Sequence, residues 1–599
     1  MAVQTSQKPR LDPQRPSGFA RALTILVAFA AFAFSPVLAA AYLRLDDYRH
    51  ILENPDLQST SLSSLARFWT NPYFGLYIPV TYSMWWLLAA IAHTLGLLLK
   101  QSAWLFHALN LVLHLANSGL VFLVVQKLLR RCRPDGAELD ERSMVTVSLI
   151  AGLFFALHPV QVETVAWISE CKGELSLLLG LLGIWSYYRP TKRYVTAILL
   201  VAAMLAKPSS IVFPGILLLT NRILLGQSLK ASAAMPALLW TLLLPLAIVT
   251  KHLQPDSNMD FVPGFAQRLF VAFDALGFYA AKLIVPFPLA LDYGRSPTYV
   301  LAHVEAWRII LSTVVVLWLL GPAVYAMVRR QPGHGWFSFV ACGSSVFALA
   351  LVPILGFVPF EFQDFSTVAD HYMYIAIFGG ALAVAGLLCR FRQARKVAAI
   401  ASVVLLVLAA LSFRQATAWR STETLFEHTL EVNPQSYLAH YSIAAELMDR
   451  GRLDLGIAHN LKSLEINPDY LYAEMALGVG WIRKGELQKA IDHYTRVLAH
   501  NPSSVGKRAA LMGSIHNNLG TALHQVGRHA EGTQQFRKAV AVDPGSVSGY
   551  LNLASAAFNE GRYLDAIAEY QRALVLSPGN VPIEQGLVRA RRAAQMNLR

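Results

Sequence analysis

The sequence predicts an all-α protein in which a polytopic membrane domain of helices is followed by an α-solenoid of helical repeats. Of the 599 residues, 55% are hydrophobic and only 15% are charged, whereas a soluble domain has about 25% charged residues. Many apolar runs approach the ~20 residues that a helix needs to cross a bilayer. In the C-terminal third, prolines recur at nearly constant intervals, which is typical of a repeat array.

Eleven apolar segments are candidates for membrane spans. The first, about 20–43, is too long for a signal-peptide core and has no small-residue cleavage site. We interpret 77–99 as a helix in the outer interface, because a crossing there would put Arg130 and Arg131 outside. Segment 268–290 contains charges and prolines and is interpreted as not crossing fully. The other ten candidates are about 102–128, 144–157, 173–188, 194–206, 209–225, 233–252, 304–328, 336–357, 371–389 and 397–413.

The distribution of basic residues predicts the orientation of the chain. The formal net charge is +14, and the positive clusters between spans fall on one side, which is the cytoplasmic side by the positive-inside rule. This explains the charge without a nucleic-acid partner. Residues 1–18 are predicted to be a disordered cytoplasmic tail, and 19–414 a membrane domain with an outer loop and interface helices at 44–100. A multi-pass membrane protein is expected, with a cytoplasmic N-terminus and residues 415–599 outside.

The repeat array is predicted from spacing. Prolines stand at intervals of 34, 34, 42 and 34 residues, and a 34-residue period is that of the tetratricopeptide repeat (TPR), a pair of antiparallel helices. The 42-residue interval is one repeat with eight residues inserted near Ser503–Ala510. Residues 415–434 supply only a second helix, and 579–599 a capping helix. The prolines are Pro434, Pro468, Pro502, Pro544 and Pro578.

Four polar clusters fall on the outer face of this topology. Charges beside spans are costly unless they are paired or functional, so four clusters on one face favour a polar cavity with access for a lipid. Each cluster alone is also consistent with a structural pair of polar side chains. The loop at 42–54 alone is also consistent with a solvated juxtamembrane segment. The candidate site residues are Asp46, Asp47 and Arg49; His158, Glu163, Glu170 and Lys172; Lys207; and Asp370, His371 and Tyr374.

The sequence lacks the motifs of soluble enzymes. There is no phosphate-binding P-loop, dinucleotide-binding GxGxxG, zinc-binding HExxH or nucleophilic GxSxG motif. The four cysteines form no CxxC pair and no metal-ligand spacing. No metal site and no certain cofactor are therefore predicted.

Several stretches of the chain resemble transmembrane-and-TPR (TMTC-type) proteins and their bacterial relatives, which are similar to C-type (GT-C) glycosyltransferases such as the protein O-mannosyltransferases. The resemblance covers nearly all of residues 20–434, and the repeats complete it. The most specific stretches are HPVQVETVAWIS and WRSTETLFEHTLEVNP. The others are LRLDDYRHILENP, YIPVTYSMWW, WLFHALNLVLHLANSGL, AKPSSIVFPGILLL, YAAKLIVPFPLALDY and ADHYMYIAIFG.

The resemblance implies transfer of a sugar, often mannose, from a polyprenyl-phosphate donor to a hydroxyl of a protein serine or threonine. An aspartate of the first outer loop, Asp46 or Asp47, would deprotonate the acceptor. Arg49, Lys172, Lys207 or His371 would stabilise the phosphate leaving group. The TPR array would hold the acceptor polypeptide or a partner protein.

The chain departs from the pattern of its bacterial relatives at three places. An Arg-Lys-Asp run is expected where Cys171-Lys172-Gly173 stands, and arginines are expected in place of His371 and Ile78. These departures leave two alternatives open. One is a non-enzymatic, membrane-anchored TPR scaffold. The other is a transferase similar to O-antigen ligases, which would carry its key residues in a late outer loop.

Overall fold

The computed structural model describes residues 17–132, 140–189, 193–253, 262–303, 306–328, 335–358, 361–391, 394–500 and 507–597. The chain divides into two compact units, Met1–Leu425 and Phe426–Arg599. The first unit includes Trp419 and Leu425, which are both buried, and the predicted domain boundary after residue 414 stays a prediction. All but the last two residues of the predicted tail 1–18 lie outside the described residues.

The first unit is built from helices joined by loops and short helical turns. Apart from one antiparallel bridge between Tyr73 and Leu76, no extended pairing occurs in its described residues. The helices are α1 Ser17–Phe34, α2 Pro55–Ser59, α3 Leu62–Thr70, α4 Pro79–Thr94, α5 Ala103–Cys132, α6 Glu141–Leu157, α7 Gln161–Ala166, α8 Cys171–Tyr187, α9 Arg193–Ala206, α10 Phe213–Leu219, α11 Leu229–Leu253, α12 Phe265–Ile284, α13 Pro297–Ala302, α14 Ala306–Val328, α15 Trp336–Leu351, α16 Met373–Arg390 and α17 Ala394–Ala418.

Each of the eleven predicted spans coincides with a helix. Among the described residues, six stretches are long and apolar enough to cross a membrane: Gly18–Ala39, Ala103–Cys132, Leu229–Leu253, Trp336–Ile354, Asp370–Arg390 and Ala398–Ala418. Three further apolar helices are shorter, at Arg193–Ala206, Pro208–Leu224 and Ile310–Pro322. Helices α6 and α8, with 17 residues each, account for the other two. Helix α12, which covers most of segment 268–290, is continuous over 20 residues. That this segment does not fully cross the membrane stays a prediction.

The outer-loop helices pack on the bundle through aromatic side chains. Tyr82 of α4 stacks on Phe68 of α3 with ring centroids 4.8 Å apart, and Trp85 is almost fully buried. The Tyr82 hydroxyl bonds the Nδ1 of His50 at 2.9 Å, and burial lowers the pKa of His50 to about 4. This aromatic core fixes the loop that follows the first span against α4.

The second unit consists of antiparallel helix pairs, as the proline spacing predicts. Residues 503–506 of the predicted insertion Ser503–Ala510 lie outside the described residues, and α23, at 19 residues, is longer than the equivalent helices of 13 residues. Helix α18, Thr422–Val432, contains the division between the two units. The helices that follow are α19 Tyr437–Asp449, α20 Leu453–Ile466, α21 Leu471–Arg483, α22 Leu487–His500, α23 Lys507–Gln525, α24 His529–Val542, α25 Val547–Asn559, α26 Tyr563–Leu576 and α27 Val581–Asn597.

Glycines make two features of the repeats possible. Gly485 ends α21 with φ +80°, a left-handed conformation that a side chain disfavours. Gly478 lets α21 and α22 approach closely, since a Cβ there would lie 2.1 Å from a ring carbon of Tyr494. The close approach explains why a small residue recurs at this place in the repeat.

Candidate functional site

The two aspartates of the first outer loop have different environments. Asp47 is fully buried, and its Oδ1 accepts hydrogen bonds from the backbone N–H of Ser169 at 3.0 Å and from the Ser169 hydroxyl at 2.7 Å. Its Oδ2 accepts from the N–H of Leu43 at 3.1 Å. Asp46 is only partly buried. Asp47 therefore ties the loop to the segment before α8, and Asp46 is the more accessible carboxylate.

The buried position of Asp47 predicts a pH dependence of stability. Burial raises the pKa of Asp47 to about 6, although the hydrogen bonds from Ser169 and Leu43 lower it. In the unfolded chain this group titrates near pH 4. Between these pH values the folded chain holds a proton that the unfolded chain releases. We therefore expect the free energy of unfolding to fall as pH rises from about 4 to about 6.

Thermal unfolding of wild type and Asp47→Asn in detergent, between pH 4 and 7, measures this effect. The wild type should lose stability relative to Asp47→Asn as pH rises, and the difference should level off above about pH 6. Glu53→Gln, which changes an exposed carboxylate of the same loop, serves as the control and should show a constant difference. A constant difference for Asp47→Asn as well would contradict the prediction.

Glu170 joins two lysines from different parts of the chain. Its Oε1 lies 2.9 Å from the Nζ of Lys172, and its Oε2 lies 2.7 Å from the Nζ of Lys207. Burial raises the pKa of Glu170, but the charges of Lys172, Lys207 and His371, together with the hydrogen bond from Lys207, lower the pKa below its ordinary value, so the carboxylate stays ionised. The side chains of both lysines are 15% exposed. The group thus joins two partly exposed lysine side chains to one buried anion.

Glu163 and His371 form a second buried pair. The Oε1 of Glu163 lies 2.5 Å from the Nδ1 of His371. Burial, followed by the charges of Asp370 and Glu170, raises the pKa of Glu163 well above its ordinary value. Trp167 contacts both this pair and the lysine group, with its ring 5.6 Å from the His371 ring and 5.9 Å from the Nζ of Lys172.

Asp370 interacts with residues of α12 and of the segment that follows it. The hydroxyl of Tyr293 lies 2.9 and 3.0 Å from the two carboxylate oxygens of Asp370 and accepts the N–H of Ala290 at 3.2 Å. Lys282 lies close enough for its charge to act on Asp370. Its ammonium group donates to the carbonyl of Pro288. The segment that follows α12 is in this way fixed to the start of α16.

The four predicted clusters meet in the first unit. The charge of Asp46 acts on Lys172, and the charges of Lys172, Lys207 and Glu170 act on His371. These interactions and the contacts described above join at least one member of each predicted cluster into a single group of charged residues. We call this group, Asp46, Glu163, Glu170, Lys172, Lys207, Asp370 and His371, the outer cluster. It combines an accessible carboxylate with two cations, which are the parts needed for proton removal and anion stabilisation.

Besides Asp47, which bonds Ser169, three candidate residues are not members of the outer cluster. Arg49 is exposed and its guanidinium lies 4.9 Å over the ring of Phe74. His158 is buried, and its Nε2 bonds the carbonyl of Leu283 at 3.1 Å. Tyr374 bonds the Nδ1 of His114 at 3.1 Å inside the helical bundle. Their surroundings favour structural roles over the predicted donor binding.

The residues that depart from the bacterial pattern have defined contacts in the structure. A Cβ on Gly173 would lie 3.4 Å from both the Oε2 of Glu170 and the Nζ of Lys207, so this glycine borders the ion pair. Ile78 is buried at the start of α4, and Cys171 is buried at the start of α8. His371, which stands where an arginine is expected, bonds the carboxyl group of Glu163. The cations of the outer cluster are therefore Lys172 and Lys207.

Sequence reasoning missed several residues that position the site. Ser169 lies within the quoted stretch HPVQVETVAWIS, so the pattern contained a signal for it. Tyr293 precedes Asp370 by 77 residues and Trp419 follows Trp167 by 252, although the Trp419 and Trp167 ring centroids lie 6.4 Å apart. No local periodicity reveals such pairs, because they depend on how distant helices pack.

Comparisons with known proteins agree with both halves of this description. A tetratricopeptide repeat model matches residues 517–581. Protein O-mannosyl-transferase TMTC4 of Mus musculus is 25% identical over 482 residues, covering 69% of this chain and 62% of that protein. Protein O-mannosyl-transferase TMTC3 of the same organism is 30% identical over 207 residues, covering 32% of this chain and 20% of that protein. The chain thus spans about three fifths of the length of TMTC4.

Solved structures similar to part of this chain include a TPR protein and a MamA protein. The crystal structure of TTC0263, a TPR protein of Thermus thermophilus, is 22% identical, with a TM-score of 0.25, and the match covers 32% of this chain and 95% of that one. A crystal structure of the MamA protein is 17% identical, with a TM-score of 0.23, covering 27% and 84% of the two chains. The apolar helices and the similarity to membrane proteins make this chain a multi-pass membrane protein with a TPR region.

Proposed function

We propose that this chain, which fits the TMTC type of protein, is a membrane glycosyltransferase that modifies serine or threonine hydroxyls of proteins. In finer terms, it is an inverting transferase of GT-C type that takes a sugar, mannose by the resemblance, from a polyprenyl-phosphate donor. The observation that carries the proposal is that Lys172 and Lys207 share Glu170, while Asp47, the neighbour of Asp46, bonds Ser169, the neighbour of Glu170.

The proposed reaction assigns a role to each of these groups. Asp46 accepts the proton of the acceptor hydroxyl, whose oxygen attacks the anomeric carbon of the sugar. The bond from that carbon to the phosphate oxygen breaks as the new carbon–oxygen bond forms. Polyprenyl phosphate leaves with the electron pair, and Lys172 and Lys207 stabilise its charge. Since the linkage in the donor is already activated, no nucleotide is consumed.

The function is tested with the full-length chain in lipid nanodiscs. Labelled polyprenyl-phosphate mannose and a peptide containing serine and threonine should yield a mannosylated peptide, and the product anomer should be opposite to that of the donor. Transfer with retention of configuration would contradict the inverting mechanism. Failure to transfer from any of several lipid-linked sugars, with intact fold and donor binding, would favour the scaffold alternative.

We further propose that the first helices of the repeats bind the acceptor polypeptide. These helices contact one another from repeat to repeat, as α21 does with α23 and α23 with α25. Their shared face carries uncharged polar side chains: Ser514, Asn517, Asn518 and Thr521 on α23, and Ser548, Asn552 and Ser555 on α25. The Nδ2 of Asn552 donates to the Oδ1 of Asn517 at 2.9 Å.

The spacing of these amides suits an extended peptide. Neighbouring packed helices lie about 8–10 Å apart, which is about three residues of extended chain at roughly 3.3 Å each. An extended segment that crosses α23 and α25 would meet a carboxamide about every third residue. A carboxamide both donates and accepts, as a peptide group does. The face therefore suits an uncharged backbone better than a charged ligand.

Alanine substitution of these amides should weaken acceptor binding. We expect Asn518→Ala combined with Asn552→Ala to raise the KM for the acceptor peptide about tenfold with an unchanged kcat, since each hydrogen bond contributes about 0.5–1.5 kcal/mol. Gln488→Ala removes a carboxamide from α22, a second helix of a repeat, and is the matched control. Equal KM values for the double variant and the control would exclude this face as the acceptor site.

The proposed location is a bacterial inner membrane, with the N-terminus in the cytoplasm and the repeats outside. The support is the distribution of positive charge: Arg130 and Arg131 end α5, and Arg390 ends α16. Both ends are cytoplasmic by the positive-inside rule. The outer cluster then faces the opposite side, where a lipid-linked donor would be used.

A further inference from the structure

We propose that the linker Trp419–Thr422, which follows α17 and ends at the first residue of α18, is a positioning element for the loop that carries Asp46 and Asp47. The inference rests on the proposed function for its consequence, but its structural basis is independent of it. Thr422 and Trp419 touch no reacting group. They act through the loop and through Trp167.

The first observation is a pair of hydrogen bonds between distant parts of the first unit. The backbone N–H of Ala41 donates to the carbonyl of Arg420 at 3.0 Å. The backbone N–H of Arg44 donates to the Oγ1 of Thr422 at 3.0 Å, across 378 residues of sequence. The N–H of Leu43, between them, donates to Asp47. Three amides just before Asp46 thus have defined partners, and two of these partners belong to the linker.

The second observation is the packing of Trp419. This side chain is 1% exposed, and its ring lies 6.4 Å from that of Trp167. Trp167 in turn contacts His371 and Lys172 of the outer cluster. The linker therefore reaches the outer cluster by two routes, through the backbone before Asp46 and through an indole ring beside the cations.

Water cannot replace the hydrogen bond between the Arg44 amide and Thr422 without a loss of stability. Thr422 is 5% exposed, so its hydroxyl offers the Arg44 amide a partner that solvent does not easily replace. A base must lie within hydrogen-bond reach of the proton it removes, and a misplacement of about 1 Å can cost ~100-fold in rate. Loosening of the amides at Ala41 and Arg44 should therefore lower the rate of the chemical step and leave substrate binding intact.

The test uses the full-length chain in nanodiscs and three variants. Thr422→Val removes the acceptor oxygen at nearly constant volume, and Thr422→Ser retains it. Thr417→Val is the matched control, because the Thr417 hydroxyl donates only within its own helix, to the Arg414 carbonyl. Hydrogen exchange of the segment 41–47 is measured together with kcat and the KM values for donor and acceptor.

We expect Thr422→Val to speed exchange at Arg44 and to lower kcat about tenfold, with both KM values within about twofold of wild type. Thr422→Ser and Thr417→Val should resemble wild type in both measurements. The proposal is overturned if exchange is unchanged in Thr422→Val, if exchange rises while kcat does not fall, or if Thr422→Ser is as slow as Thr422→Val. If the wild type transferred no sugar, the proposed function would fail, while exchange would still decide whether the linker holds the loop.

Discussion

Substitution of Asp46 by asparagine should lower kcat about 1,000-fold and leave donor binding unchanged, since a general base typically contributes 10²–10⁴-fold. Asparagine has nearly the same volume as aspartate but cannot accept the proton of the acceptor hydroxyl. Of the two aspartates, Asp46 is the partly accessible one, and its charge acts on Lys172 of the outer cluster. The measurement is single-turnover transfer from labelled polyprenyl-phosphate mannose, with donor affinity determined in parallel.

Asp47→Asn separates the two aspartates. The asparagine of this variant can still accept from Ser169 through its side-chain oxygen but leaves the Leu43 N–H without its partner, at a cost of about 1–3 kcal/mol in stability. We therefore expect a lower unfolding temperature and a much smaller loss of kcat than for Asp46→Asn. Glu53→Gln is the control for removing a negative charge from the loop. Activity of Asp46→Asn within tenfold of wild type would exclude Asp46 as the base.

Substitution of Glu170 by glutamine should destabilise the first unit by about 3–5 kcal/mol, because it leaves Lys172 and Lys207 without their shared anion. Both ion pairs are short and largely buried, at 2.9 and 2.7 Å. The effect is measured as the change in free energy of unfolding in detergent near neutral pH. Since the pKa of Glu170 is lowered in the folded chain, its contribution is present above the ordinary pKa and is lost as pH falls below it.

Two variants make the result specific to the buried pairs. Asp56→Asn breaks the pair of Asp56 with Arg67, whose side chain is 50% exposed, and should cost less than about 1 kcal/mol. Lys207→Met added to Glu170→Gln removes one of the two unpaired cations and should recover part of the lost stability. If Glu170→Gln cost no more than Asp56→Asn, the outer cluster would not depend on Glu170 for its cohesion.

Much of the fold was predictable because its signals are local. Proline intervals of 34 residues identify the repeats, since each repeat is a helix pair that a proline ends. Apolar segments likewise coincide with helices throughout the first unit, because a backbone in hydrocarbon must satisfy its hydrogen bonds within the segment. Helices α6 and α8 have only 17 residues each, so helix positions were easier to predict than the number of crossings.

The outer cluster was predictable only in part. Its members could be named, because charged residues at span ends are costly and therefore informative. The same rule also selected Arg49, His158 and Tyr374, whose contacts lie elsewhere. The free-energy cost of placing a polar residue beside a span does not distinguish a residue that contacts the cluster from one that caps a helix or bonds a carbonyl inside the bundle.

By itself, the sequence determined that this protein has a helical membrane part followed by TPR helices, and that acidic and basic residues flank its spans. Only the tertiary structure decided which of these meet. It buried Asp47 against Ser169 and left Asp46 accessible, brought Lys207 to Glu170, and placed Thr422 beside Arg44. The physical reason is range: periodicity and hydropathy act over one helix, whereas these contacts depend on the packing of helices far apart in the chain.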